Sequence, residues 1–357
     1  MTTPTLTATS TQPTLPTQMP AVGYYQSLPI AHPDALQDVQ LPLPTPGDFD
    51  LLVEVKAIAV NPVDYKIRQN RAPAPGSAAV IGWDAAGVVV AVGRNVSQFQ
   101  VGDAVFYAGD ITRPGANSQY QLVDARIVGR KPQRLDFAAA AALPLTAITA
   151  WELLFDRLQL DAPSAALPEP VLLVSGAAGG VGSILIQLAK QLTKARIIAT
   201  ASRPESAAWV TQMGAHEVIN HRLPLAQELA RIGVAQVTHV VSLADTAAYY
   251  QQFIDALAPQ GKLALIDDPK EPLDIRPLKL KSLSLHWELM FTRSMFNTPD
   301  LLAQHHLLNR VAELVDAGQL QTTVGQHLGK INATNLRQAH ALLESGQVIG
   351  KLVLAGW

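Results

Sequence analysis

The 357-residue chain contains no cysteine. Disulfides, thiolate nucleophiles and every cysteine-ligated metal site are therefore excluded. It also has little net charge, −2 at pH 7 with histidine neutral. Nothing in that balance supports a nucleic-acid surface or a polybasic membrane anchor. No run approaches the ~20 uninterrupted apolar residues of a bilayer span. The first twenty residues hold eight Thr and four Pro, without the positive n-region and apolar h-region of a secretory signal. A disordered leader over residues 1–20 and a cytoplasmic location are the expectations. At 48% hydrophobic residues the remainder is ordinary globular sequence, and its length predicts two domains.

The strongest local signal is "VLLVSGAAGGVGSILIQLAK", Val171 to Lys190. A short apolar run predicts a buried strand. A glycine-dense turn follows, and Val181, Ile184, Leu185, Leu188 and Leu192 then recur at helical spacing. Gly176, Gly179 and Gly182 fit G-x-x-G-x-x-G, a variant of the dinucleotide fingerprint. With Gly180 and Val181 they place free N–H groups and a positive dipole end where a pyrophosphate binds.

Upstream, "DLLVEVKAIAV" alternates at period 2, and several short strands punctuated by Gly82, Gly87, Gly93, Gly102 and Gly109 follow. That pattern predicts an antiparallel, barrel-like first domain. "DFAAAAALPLTAITAWELLFDRL" predicts two helices broken at Pro144, and "LDAPSAALPEP" reads as a linker. From Val171 to about Phe291 strands and helices alternate, which predicts a doubly wound parallel sheet. "TAAYYQQFIDALAPQG" reads as one helix within it, and "SLSLHWELMF" as a long apolar strand at the sheet edge. "LLAQHHLLNRVAELVDAG" predicts a helix stopped by Gly318. The last ~40 residues, ending "GKLVLAGW", read as short strands around one more helix that rejoin the first domain.

Twenty residues past Gly182, where NAD-binding folds place a carboxylate on the ribose 2′-OH, stand Ser202 and Arg203. A guanidinium there pairs with a 2′-phosphate and a hydroxyl donates to it, so NADPH is expected over NADH. The alternative is that Arg203 is a solvated first-turn residue near Glu205.

"AIAVNPVDYKIR", "VIGWDAAGVVVAVG", "VGDAVF", "LPLTAITAW", "GAAGGVGSILIQLAK" and "GKLVLAGW" together resemble the medium-chain dehydrogenase/reductase superfamily. Within it they resemble the zinc-independent quinone oxidoreductase branch typified by zeta-crystallin. "LHWELMFTRS" is similar to a subfamily often labelled zinc-binding alcohol dehydrogenase-like. The resemblance implies an α/β chain: a GroES-like, β-barrel-type catalytic domain over 21–145, a Rossmann NADPH-binding domain over 146–292, and a return to the catalytic domain over 293–357. A cleft would lie between the two. Metal-using members carry a cysteine in the first loop and Gly-His-Glu in the next segment. Here the matching residues are "NPVDYK" and Gly82-Trp83-Asp84. A catalytic zinc needs three protein ligands, so no zinc is expected. The pair His305-His306 has its rings about 100° apart on a helix and reads as a surface feature.

Without a Lewis acid, alcohol oxidation is disfavoured. Hydride transfer from NADPH to a quinone or an α,β-unsaturated carbonyl is the expected reaction, with a hydrogen-bond donor at the developing oxyanion. The resemblance implies Tyr65 and Asn61 as catalytic candidates, Tyr65 donating to the oxyanion unless solvent does. The bland reading makes Asn61-Pro62 a turn and Asp64 a helix cap. It also implies cofactor contacts from Thr146, Thr149 and Lys351, the last of which reads equally well as a surface strand lysine. Ser242, Leu243, Ile266 and Asp267 fall at strand ends, where open α/β sheets bind ligands. Trp83 reads either as an apolar wall for a flat substrate or as core filler. A homodimer through the "SLSLHWELMF" edge is expected. Two rival readings are a zinc-type alcohol dehydrogenase and a nucleotide-binding, crystallin-like protein without turnover.

Overall fold

The computed structural model describes residues 15–162 and 169–357. Residues 1–14 of the expected leader, and 163–168 of the expected linker, lie outside that range.

The chain begins with β1 (Gln18–Tyr24), β2 (Gln37–Pro42) and β3 (Asp50–Val60), and α1 (Pro62–Asn70) follows directly on β3. Then come β4 (Ala79–Val80), β5 (Ala85–Val92), β6 (Ala104–Tyr107), β7 (Tyr120–Asp124) and β8 (Gly129–Arg130). Strand β1 starts three residues inside the leader expected over 1–20, because Met19 is buried against Leu52 and Tyr120. The central strand is β3. Its period-2 pattern is borne by Leu51, Val53 and Val55 on the buried side, with Glu54 and Lys56 half-exposed.

Two helices, α2 (Phe137–Ala141) and α3 (Pro144–Trp151), meet at Pro144 as the sequence predicts, and α3 runs on into a π-turn over Glu152–Arg157. Among the described residues, Phe137–Arg157 is the one helical run long and apolar enough to cross a membrane. The sequence reading found no such run. Its most apolar window is 83% buried inside the protein, so this is a core helix.

The second half alternates β9 (Val171–Ser175), α4 (Gly180–Leu192), β10 (Arg196–Thr200), α5 (Pro204–Met213), β11 (Glu217–Ile219), α6 (Leu225–Arg231), β12 (Val237–Ser242), α7 (Thr246–Ala256), β13 (Leu257–Leu265) and β14 (Ser284–Trp287). These six strands form one parallel sheet in the order β11-β10-β9-β12-β13-β14. That is the 3-2-1-4-5-6 order of the dinucleotide-binding fold, whose crevice opens where the order reverses, between β9 and β12.

Three local details depart from the sequence reading. Helix α6 has no counterpart in it. Helix α7 stops at Ala256 because Pro259 cannot donate to a helix and Gln260 takes φ +66°. The edge strand β14 is four residues, not ten. Glu288 turns inward to Arg157, and Met290 and Phe291 fold into the core.

The chain closes through α8 (Thr292–Phe296), α9 (Ala303–Asp316), β15 (Val324–His327), α10 (Ala333–Glu344) and β16 (Lys351–Ala355). Strand β16 pairs antiparallel with β3 and parallel with β15, completing a seven-stranded sheet with β5, β6, β7 and β8. The last strand thus lies beside the strand that leads into α1, 290 residues away in sequence. A fully buried Arg68 ties α1 to α10 through Glu344 and His340, and to the chain at the Leu28 carbonyl.

Candidate active site between the two sheets

The glycine turn stands at the C-terminal end of β9, at the crevice. Gly176 adopts φ +72°, a left-handed conformation that favours glycine. A Cβ on Gly180 would lie 2.8 Å from the Lys351 Cδ and 3.1 Å from the Thr146 Cγ2. The first turn of α4, carrying the N–H groups of Gly180, Val181 and Gly182, has no intrahelical acceptors of its own. Neighbouring strand ends bring Ser202 and Arg203 (after β10), Ser242 and Leu243 (after β12), and Ile266 and Asp267 (after β13) to the same edge. The close backbone approach and free helix terminus fit a dinucleotide pyrophosphate.

Several of these side chains have other employment. Asp267 accepts from the Thr246 backbone N–H at 2.8 Å and from its hydroxyl, and with that one hydrogen spent the Thr246 oxygen accepts from the Ser242 hydroxyl at 2.8 Å. Asp267 is therefore the anchor for the start of α7, and the Ser242 hydroxyl is buried in that arrangement. Thr146 and Thr149 donate back to carbonyls of their own helix, at 3.0 and 2.8 Å. The Thr146 methyl faces Gly180 of the glycine turn.

The loop that opens α1 is organised by a network that sequence reading did not assemble. Lys351 is 3% exposed, which overturns its reading as a surface strand lysine. Its ammonium donates to Asp84 Oδ2 at 2.9 Å, to the Val60 carbonyl at 3.0 Å and to Asn61 Oδ1. Asp84 also accepts from Asn61 Nδ2 and from the Leu145 N–H at the start of α3, both at 2.9 Å. Burial pushes the Asp84 carboxyl above its ordinary range, and the Lys351 ammonium and these donors oppose the push. Asn61 is 1% exposed with both ends of its amide engaged. It holds the loop in place beside the exposed Pro62.

Asp64 accepts from the Asn61 backbone N–H at 2.8 Å, closing the first turn of α1. Its other oxygen is buried without a partner, and burial pushes its carboxyl up to about 7. A carboxyl raised in the folded state contributes stability below its unfolded pKa that is lost as pH rises through the folded value. The free energy of unfolding is thus expected to fall between about pH 4 and about pH 7, and Asp64→Asn should flatten that slope in urea titrations. An unchanged slope would remove Asp64 from the account.

Tyr65 is half-buried, and its hydroxyl makes no hydrogen bond among the described residues. Its neighbour Lys66 reaches across to Asp268, just beyond β13, at 2.9 Å. This face of α1 therefore looks onto the parallel sheet.

Among the described residues no three His, Cys, Asp or Glu side chains gather as a metal would need. Trp83 is 1% exposed, donates to the Asp110 carbonyl at 3.0 Å and stacks edge-on against Phe291. It is core, with no face open to a substrate. Asp84 is occupied by Lys351. The donor set does not fit a zinc ion. His305 is half-buried between the Val128 carbonyl and Asn309, and only His306 is exposed.

A doubly wound parallel sheet is joined to a second, mostly antiparallel β unit with a polar site at their junction, the architecture of a dehydrogenase/reductase fold. The chain belongs to the medium-chain dehydrogenase/reductase superfamily, and its residues fit the zinc-independent quinone oxidoreductase-like branch. Residues 47–133 match the alcohol dehydrogenase GroES-like domain, and residues 213–354 match the zinc-binding dehydrogenase family. A zinc-type alcohol dehydrogenase-like protein of Staphylococcus aureus is 38% identical, over 94% of this chain and 99% of its own. A quinone oxidoreductase of Pseudomonas aeruginosa is 30% identical, over 87% and 92%. Among solved structures, a Rhizobium etli CFN 42 protein provisionally called a zinc-dependent alcohol dehydrogenase superposes with TM-score 0.92 at 53% identity, over 95% of this chain and 98% of that one. The Escherichia coli quinone oxidoreductase complexed with NADPH gives 0.77 at 26% identity, over 94% and 99%.

Proposed function

We propose that the protein reduces a quinone or an α,β-unsaturated carbonyl with NADPH, without a metal. The observation that carries this reading is the placement of Lys351. Its stem lies against Gly180 of the nucleotide turn, and its ammonium rests on Asn61 and on Asp84, which matches the Glu of the Gly-His-Glu segment of metal-using members. Reduction of an electron-poor acceptor asks the protein for a donor at the developing oxyanion, and the Tyr65 hydroxyl, with no partner among the described residues, is the candidate beside this anchored loop. NADPH, when bound, supplies hydride from its nicotinamide C4. Arg203 and Ser202 hold the 2′-phosphate, and the Gly180–Gly182 amides hold the pyrophosphate. Tyr65 donates its hydroxyl proton toward the acceptor oxygen, where negative charge develops. Asn61 and Asp84 keep Lys351 and α1 in register.

NADPH consumption with a quinone, an enone and, in the reverse direction with NADP, a primary alcohol tests the reading side by side. Oxidation is expected with the quinone, the enone or both, and none with the alcohol. No NADPH consumption with any acceptor would favour the non-turnover alternative, and alcohol oxidation alone would favour the zinc-type one.

We also propose a homodimer through β14. Trp287, Leu289, Met295 and Phe296 are exposed apolar side chains on and beside this unpaired edge strand, the kind of edge that pairing covers. Solution mass should give two chains per particle, and Trp287→Glu should give one. A monomeric parent protein at micromolar concentration would contradict this.

A further inference from the structure

One short segment touches both the glycine turn and Arg203 of the candidate nucleotide site and comes from the other sheet's side of the molecule. It is Gln347–Lys351, the approach to β16. At one end, the Gln347 carbonyl accepts from the Arg203 guanidinium at 2.9 Å. In the middle, the Gly350 N–H donates to the Ala178 carbonyl at 2.9 Å, pairing Gly350 with Gly179 of the nucleotide turn. At the other end is Lys351, with its stem on Gly180. The middle anchor admits only glycine. Gly350 has φ +65°, and a Cβ there would lie 2.5 Å from the Thr323 carbonyl oxygen and 2.9 Å from Trp209. Trp209 belongs to α5, the helix that Arg203 precedes, and donates to Ser183 on α4 at 2.8 Å. The strap is therefore fixed to both helices that frame the nucleotide.

We propose that the strap Gln347–Lys351 is a specificity element: its Gln347 carbonyl positions Arg203 to receive a 2′-phosphate. This rests on the reading of Arg203 given above. A guanidinium has five N–H donors in a rigid fork, and the Gln347 carbonyl takes only one, so the others remain for an anion. A half-exposed arginine already held in one orientation gives up less rotamer freedom when the phosphate arrives, and preorganisation of this kind strengthens binding. The benefit falls only on nucleotides that carry the 2′-phosphate.

Two glycines inserted between Gly346 and Gln347 would slacken the strap while leaving its Gly350 anchor. Gly346 is exposed, and a Cβ there meets nothing within 4 Å. A single inserted glycine serves if the longer insertion does not fold, as judged by circular dichroism. Dissociation constants for NADPH, NADH and adenosine 2′,5′-bisphosphate are then measured in the parent protein, the insertion, Arg203→Ala and the combination. NADPH and the bisphosphate should weaken by about three- to tenfold in the insertion, with NADH unchanged. The combination should bind no more weakly than Arg203→Ala alone, a non-additivity that a merely structural loosening would not give. If Arg203→Ala is selective for NADPH but the insertion leaves NADPH binding intact, or weakens NADPH and NADH equally, the strap proposal is overturned. If Arg203→Ala itself weakens both nucleotides equally, the 2′-phosphate reading fails and the proposal falls with it.

Discussion

Lys351→Met is expected to cost about 3–5 kcal/mol of stability near pH 7, the range for removing one partner of a buried ion pair. The magnitude follows from what is left behind. Asp84 is 1% exposed, and among the described residues Lys351 is its one cationic partner. Without the ammonium, the carboxyl must stay ionised in a dry site or take up a proton. Either outcome is unfavourable relative to the unfolded chain at neutral pH. The pH dependence has a definite sign. In the variant the folded-state pKa of Asp84 is raised further above its unfolded value, so the added cost is greatest at neutral and alkaline pH and shrinks as pH falls toward about 4. Urea midpoints of the variant and the parent should therefore converge in acid. Asp84→Asn combined with Lys351→Met should recover most of the loss, because an amide in place of the carboxylate needs no counter-charge. A Lys351→Met protein as stable as the parent at pH 7 would show that the ammonium does not rest on Asp84 in solution.

Tyr65→Phe is expected to lower kcat by about 10²- to 10³-fold, the loss typical of removing one donor to a developing oxyanion, with NADPH affinity unchanged. The argument turns on contrast with the other buried donors. Asn61 is committed at both ends of its amide, Trp83 to the Asp110 carbonyl, and Thr146 and Thr149 to their own helix. Tyr24 also spends its hydroxyl, on the Arg71 carbonyl. Of the two catalytic candidates, both amide atoms of Asn61 are engaged, while the Tyr65 hydroxyl has no partner among the described residues. A fall in kcat of less than threefold would assign the proton to solvent and leave Tyr65 a packing role.

Local order was far easier to read from the sequence than long-range pairing. The strand, glycine turn and helix of Val171–Leu192 announce themselves because hydrophobic periodicity and glycine placement are short-range signals. So do the alternation of β3 and the break at Pro144. Lys351 resisted reading for the opposite reason. In sequence it is a lysine opening an apolar strand, indistinguishable from a solvated one, and its partners Asn61 and Asp84 are more than 260 residues away. Asp84 itself was visible only as the residue beside a missing metal ligand. A carboxylate retained in an apolar run with no metal to support implies a cation elsewhere in the chain, but nothing local says which one. Asp267 stands at a strand end and so reads as a ligand contact, yet its oxygens serve Thr246. Strand-end position alone does not separate a nucleotide contact from a helix anchor. The edge strand was overread because "SLSLHWELMF" is apolar throughout, while the inward pull of Arg157 on Glu288 is a tertiary event.

The claim at the centre is that electron-poor acceptors are reduced by NADPH using this chain's own donors, with no metal ion taking part. Its most direct test is the rate of NADPH oxidation by a quinone before and after exhaustive chelation, with metal content measured on the same samples. The account predicts an unchanged rate at far less than one metal ion per chain. Activity that disappears with the chelator and returns with stoichiometric zinc would contradict it.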